Sequence, residues 1–244
     1  MKLCEITTPS LRPVDRQFNL LASCRADDSD LCRDTIARGW LSEAQMSHAA
    51  ERYMLGKSRS GKCIFWMIDE LGMVRDGHLG NSWVSSLLKQ REPELLRHYH
   101  PEHCLFGLHL LTNTNLTNLT NHSCNLCHSC SGKNICIVES EASAVILSEL
   151  FPESLWLAYV SVSHLSPDLF VPLQGRTVTI YPRTDDTMST YLFFFDFADQ
   201  LRRHLSLNLH IDSTLEDHAT ADQKSRGIDL VDYLFEHDSC SETT

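Results

Sequence analysis

Four short runs of aliphatic and β-branched residues dominate the second half of the chain: ICIV (135–138), LWLAYV (155–160), TVTIY (177–181) and LNLHI (207–211). Between them the spacing of apolar residues turns helical. Helices are predicted over Ser140–Leu150, over Thr187–Leu205 and, last, over Asp229–Phe235. On the second of these, Met188, Tyr191, Phe195, Ala198 and Leu201 are expected to share one face. Strands that alternate with helices need crossover connections, so the expected fold class is α/β. A parallel sheet with helices on both faces is predicted from about 135 to 236. In such sheets functional groups collect just beyond the C-terminal ends of the strands.

The first half reads differently. Residues 1–40 show no clear period and are expected to form a loose, partly helical lead-in. Residues 41–112 read as an α+β portion. Ser42 and Gln45 match a capping box, with Leu41 and Met46 at staple positions, and Gly56 is the expected helix stop. Two strands follow, Cys63–Ile68 and Met73–Arg75, joined by a turn at Asp69–Gly72. Trp83–Lys89 and Cys104–Leu111 are short apolar segments that periodicity does not assign. Residues 113–134, rich in Asn and Thr, read as an inserted surface loop, and residues 237–244 as a tail.

No stretch approaches the roughly 20 apolar residues of a membrane span, so no membrane contact is expected. The opening MKLCEITTPSLRPVDRQ lacks an apolar signal core, and the 10 cysteines are scattered, which points to a reduced, cytoplasmic protein. The net charge of −11 is unevenly placed. Residues 1–134 hold 15 Lys/Arg against 14 Asp/Glu, whereas residues 135–236 hold 6 against 16. Residues 52–91 are locally basic, with 7 Lys/Arg against 3 Asp/Glu, and any phosphate-facing surface is expected there, with Lys57, Arg59, Lys62 and Arg75.

Three motifs compete as sites. GKSRSGKC (56–63) nearly spells a P-loop, but Cys63 stands where magnesium needs a hydroxyl. The segment also follows a helix and opens a strand, the reverse of the P-loop order, so a basic connecting loop is predicted. Cys124, Cys127 and Cys130 have a spacing that suits zinc, but no second ligand pair follows, and a low-complexity loop is the expected reading. Glu139 ends the ICIV strand, facing the loop that carries Asp185 and Asp186. Such carboxylates hold Mg²⁺ or act in acid–base catalysis, although Glu139 and Glu141 also suit a helix N-terminus electrostatically.

The stretches IFWMIDELGMVRDGHLG, WVSSLLK, HCLFGLHLL, ICIVESEASAVIL, LQGRTVTIYPRTDD and GIDLVDYLF, in that order, carry a family resemblance. From Leu41 to about Phe235 the chain resembles an uncharacterised family of Bacteroidales genomes, associated with mobile elements, whose C-terminal half is Toprim-like and primase-related. The resemblance implies Mg²⁺-dependent phosphotransfer on nucleic acid, alongside other replication or mobilisation proteins of the element. It implies Glu139 as catalytic acid–base and metal ligand, and Asp185 as the second Asp of D-x-D, with Asp186 beside it. Ser143 falls where many Toprim proteins have another acid, and Arg183 falls on the first Asp of D-x-D.

A single positive charge about 5 Å from a divalent cation costs roughly 6–7 kcal/mol at an effective dielectric near 20. Arg183 is therefore expected to weaken metal binding and to lie near Glu139 or Asp185. Two readings stay open: a Mg²⁺-dependent nucleic-acid enzyme, and a catalytically inactive Toprim-like binding or scaffold module.

Overall fold

A computed structural model describes residues 26–91, 93–94, 103–111 and 133–241, with side chains through residue 236. The fold is mixed α/β. Strands β5 (Ile135–Val138), β6 (Leu155–Ala158), β7 (Thr177–Ile180) and β8 (Asn208–Ile211) form a parallel sheet in the order β6-β5-β7-β8. Every residue of β5 and β6 is buried, which explains why these runs lack polar alternation. Helices Glu141–Leu150 and Ser189–His204 make the crossovers out of β5 and β7. The order places a topological switch between β5 and β7, because the chain leaves these two strands in opposite directions.

A second sheet is antiparallel and ordered β1-β2-β3-β4, from β1 (Gly56–Lys57), β2 (Cys63–Ile68), β3 (Val74–Leu79) and β4 (Ser82–Trp83). Its hairpin turn is tied by the Asp69 carboxylate, which accepts from the backbone N–H groups of Leu71 and Met73. The segment Cys104–Leu111 ends in a 3₁₀ turn, Leu108–Leu111, and its Phe106 exchanges both backbone hydrogen bonds with Ala158 at the free edge of β6. This bridge covers an edge that would otherwise stay unpaired. One hydrophobic core runs through both halves, from Met46 and Tyr53 through Phe106 to Ile137, Leu157 and Phe194. The Tyr53 hydroxyl donates across the junction to the Trp156 carbonyl, 2.8 Å away.

The partly helical lead-in contains helix Asp30–Ala37, whose N-cap Ser29 accepts from the Cys32 N–H. Other expectations need correction. The capping box at Ser42 and Gln45 is present on helix Glu43–Arg52, but that helix does not stop at Gly56. Met54 turns the chain at φ 55°, and Gly56 is a strand residue where a Cβ would meet the Trp66 indole nitrogen at 2.6 Å.

The Ser189–His204 helix buries Phe194, Phe197, Ala198 and Leu201, while Met188 and Phe195 are exposed. The run Tyr191-Leu192-Phe193-Phe194-Phe195 is apolar all round, so periodicity alone chose the wrong stripe. Short helices Thr214–His218 and Ala221–Arg226 went unread, and the last helix is longer, Leu230–Ser241. Among the described residues no helix is long and apolar enough to cross a membrane.

Candidate functional site

Glu139 follows β5 directly and Arg183 follows β7 by three residues, so both stand at the switch-point crevice where α/β sheets place ligands. Arg183 Nε lies 3.4 Å from Glu139 Oε2, the proximity expected from the sequence. The contact is an ion pair without hydrogen-bond geometry, since Glu139 Oε2 is buried and accepts no hydrogen bond. Burial pushes the Glu139 carboxyl above its ordinary value; Arg183 opposes the shift and Asp229 adds to it.

Tyr159 closes the crevice from the end of β6. Its hydroxyl is buried close to Glu139 and completes no hydrogen bond. Val160, next in the chain, is held at φ 68°, an uncommon conformation for a β-branched residue. Its N–H donates to the Glu139 carbonyl, and the Ser161 N–H turns back to the Tyr159 carbonyl at 2.8 Å. This tight turn fixes the Tyr159 ring beside Glu139 and against Phe194.

Asp185 has the opposite environment. Its Oδ1 accepts from the Thr187 N–H (2.8 Å), the Thr187 hydroxyl (2.7 Å) and the Ser189 N–H (3.0 Å). Its Oδ2 accepts from the Thr190 N–H (2.8 Å) and the Ser189 hydroxyl (3.1 Å). Helix Ser189–His204 begins at Met188, which offers no side-chain cap, so Asp185 satisfies the first-turn donors in its place. Partial desolvation works against the charge. The donors prevail, Thr187 first and then Thr190 and Ser189, and hold the carboxyl far below the usual aspartate range.

Asp186 is exposed on the same loop. With Arg183, Lys224 and Arg226 it lines an open cleft of about 330 Å³. The basic groups there are already engaged: Lys224 with Glu216 (3.2 Å), and Arg226 with Glu236 (2.7 Å) and Asp222 (3.0 Å). The helix N-terminus that would attract a phosphate holds the Asp185 carboxylate instead.

Mg²⁺ does not fit this arrangement. Asp185 has its oxygens engaged by five donors, and a guanidinium faces Glu139 where an ion would need open lone pairs. Among the described residues, no three His, Cys, Asp or Glu side chains converge to hold a metal. The zinc candidates Cys124, Cys127 and Cys130 lie outside the described residues.

Asp229 at the crevice and the His78 and Asp76 contacts beyond it were not foreseen. Asp229 accepts a hydrogen bond from Ser143 while its other oxygen caps the last helix through the N–H groups of Val231 and Asp232. It stands within GIDLVDYLF, where an Asp one residue before a helix was a readable capping signal. Ser143, aligned by resemblance with an acidic position, thus binds an acid supplied by another element. On the far side, His78 Nδ1 lies 2.6 Å from Glu141 Oε1, linking β3 to the start of helix Glu141–Leu150. That bond raises the His78 pKa against the effect of desolvation. Asp76, fully buried in β3, accepts from Ser85 and Gly77, with His103 3.5 Å away. The strand expected over Met73–Arg75 is Val74–Leu79, which places the Asp76 carboxylate inside it.

The residues expected to face phosphate separate into two sets. GKSRSGKC is the β1–β2 hairpin, closed by the Ser58 N–H to the Lys62 carbonyl, as the connecting-loop reading requires. Arg59 and Lys62 are exposed on it, and Lys57 is paired with Asp28. Arg75 binds Asp69 at 2.6 Å and fastens the hairpin turn.

A family model described as a domain of unknown function (DUF6371) matches residues 78–184, from His78 through the β7 loop to Thr184. The matched span contains Glu139, Glu141, Tyr159 and Arg183 and stops short of Asp185 and Asp229. No curated protein matches the chain.

Proposed function

We propose that this chain is a Toprim-like, primase-related binding module of a mobile element that works without a resident divalent ion. Of the two readings, the catalytically inactive one has the better support. The observation that carries it is the division of roles at the crevice: Asp185 caps a helix with both oxygens while Arg183 provides the positive charge opposite Glu139. Mg²⁺-dependent phosphotransfer through Glu139 and Asp185 would first require both arrangements to be dismantled.

Nucleic acid contact is assigned to the basic hairpin loop, with the exposed Arg59 and Lys62 as the cations and Lys57 beside them. Each phosphate neutralised contributes about 0.9 to the slope of log affinity against log salt on duplex DNA. Fluorescence polarisation with short single-stranded and duplex DNA tests the reading. Binding should be the same in EDTA and in Mg²⁺, and the joint substitution Arg59→Ala, Lys62→Ala should lower the salt slope by roughly 2. Mg²⁺-dependent binding would contradict the metal-free role, and an unchanged slope would remove the hairpin from the interface.

A further inference from the structure

The antiparallel sheet joins the parallel half unevenly. Cys63 and Met67 of β2 belong to the main core, whereas Trp66, Ile68, Val74 and Val84 form a separate hydrophobic cluster. Strand β3 packs on β2, on β4 and on helix Val84–Arg91, so apolar burial holds it within its own sheet. A polar link carries it to the parallel half: His78 Nδ1 lies 2.6 Å from Oε1 of Glu141, the first residue of helix Glu141–Leu150. The Glu141 side chain is 8% exposed and that of His78 20%, so water screens this pair little. The far end of the same helix has a similar pair, His48 Nδ1 to Glu149 Oε1 at 2.8 Å. There the histidine is more than half exposed, and solvent weakens the contact.

The surroundings favour a proton on His78. The Glu141 hydrogen bond raises its pKa most, desolvation opposes the shift, and buried Asp76 on the same strand adds to it. From β4, Trp83 lies against His78 with ring centroids 5.1 Å apart. The other titratable rings, His103 and His164, meet the Trp83 indole at 3.9 and 5.9 Å. From β2, Phe65 is the register partner of His78, and burial pushes the nearby Cys63 thiol up to about 12, which keeps it neutral. Helix Val84–Arg91 turns the Ser85 hydroxyl to Asp76, and its Lys89 and Arg91 are exposed. Beyond the pair, Glu139, raised chiefly by burial, also feels the Glu141 charge. Among the described residues no Lys or Arg pairs with Glu141, so His78 is its source of positive charge.

We infer that His78 and Glu141 form a proton-dependent latch between the antiparallel sheet and the helix that opens the crevice. With His78 protonated, the contact is a charge-assisted hydrogen bond in a poorly screened place. With His78 neutral, the imidazole still donates, but the buried Glu141 charge loses its counter-charge. The folded pKa stands above the ordinary 6.5. The contribution is therefore complete below that value and is lost as pH rises through the folded pKa. Release loosens β3 without unfolding the chain, because the Tyr53 hydroxyl and the main core still join the two halves. Glu141 lies two residues before Ser143, which binds Asp229, and β3 shares its sheet with the basic hairpin. The latch thus couples hairpin and crevice, and it stands whether or not the hairpin contacts nucleic acid.

Two readouts on the full chain test the latch, and neither uses nucleic acid. In an imidazole NMR titration the His78 midpoint should lie above 6.5, and Glu141→Gln should lower it. Amide exchange, corrected for its intrinsic pH dependence, reports the docking of β3. Protection of Val74–Leu79 should fall about tenfold between about pH 6 and about pH 8.5. His78→Gln and Glu141→Gln should remove that fall, whereas His48→Gln should keep it. Amides of helix Glu43–Arg52 should not follow it, and circular dichroism checks that each variant folds. A His78 midpoint at or below 6.5, or protection of β3 in the parent that does not change with pH, overturns the inference even if a variant fails to fold. So does a pH response that survives His78→Gln.

Discussion

Glu139 and Asp185 are the two carboxylates that the sequence set on neighbouring strand ends, and the fold treats them in opposite ways. Glu139 is largely buried, with an oxygen that accepts no hydrogen bond and a pKa raised chiefly by desolvation. Asp185 is nearer solvent, accepts five hydrogen bonds and has its pKa strongly lowered by them. Burial without donors raises the one pKa, and a full set of donors outweighs desolvation to lower the other. A shared metal ion needs open lone pairs on both carboxylates, and those of Asp185 are committed to the helix.

The largest effect is expected from emptying the saturated side. Asp185→Ala should cost about 2 kcal/mol in urea unfolding, since a whole first helical turn loses its acceptor. Asp185→Asn, which keeps an oxygen, should cost less. The sign with pH follows from the depressed folded pKa. The contribution is complete above the ordinary aspartate value of 3.8 and drains away as pH falls below it, whereas the Ala variant lacks that dependence. An Ala variant as stable as the parent would mean that the cap is dispensable.

The next test makes the two sides alike. Arg183→Asp removes the cation facing Glu139 and adds a carboxylate, and should tighten Mn²⁺ binding at least about tenfold. That is far less than the bare Coulomb figure, because Arg183 is half exposed and Asp185 stays committed to its helix. Calorimetric titration of parent and variant would show it, and equal affinities would mean that Arg183 does not guard the crevice.

A smaller effect is expected from neutralising the starved side. At pH 7, Glu139→Gln should be neutral to stabilising by up to about 1 kcal/mol, because it removes a charge that burial disfavours. Here the folded pKa lies above the ordinary 4.5, so the folded state takes up a proton first. Wild type therefore gains on the variant as pH falls toward 4.5, opposite to Asp185. The smallest shift belongs to Arg183→Ala, which should change stability by less than about 1 kcal/mol while moving the Glu139 pKa further up.

Much of this frame was legible in the residues. Buried parallel strands are runs of apolar residues, and ICIV and LWLA carry that signature, while TVTI alternates exposed or half-buried Thr with buried Val178 and Ile180; sheet, helices and strand ends followed from the chain. The Arg183–Glu139 proximity also followed, from adjacent strand ends and a long side chain. Asp185 as a cap did not, because the acceptor sits four residues ahead of Ser189 across an irregular loop. Asp229 reaches the crevice, and His78 reaches Glu141, from elements remote in sequence, and only tertiary packing brings them there. Phe195 was misplaced because five consecutive apolar residues give every face of a helix the same claim to the core.

The difference between the two carboxylates can be measured directly by carboxyl ¹³C NMR titration of the full chain, with Glu139→Gln and Asp185→Asn used for assignment. Glu139 should titrate above its ordinary 4.5 and Asp185 below its ordinary 3.8, with no common midpoint. Two carboxylates that titrate together in the ordinary range would contradict the account.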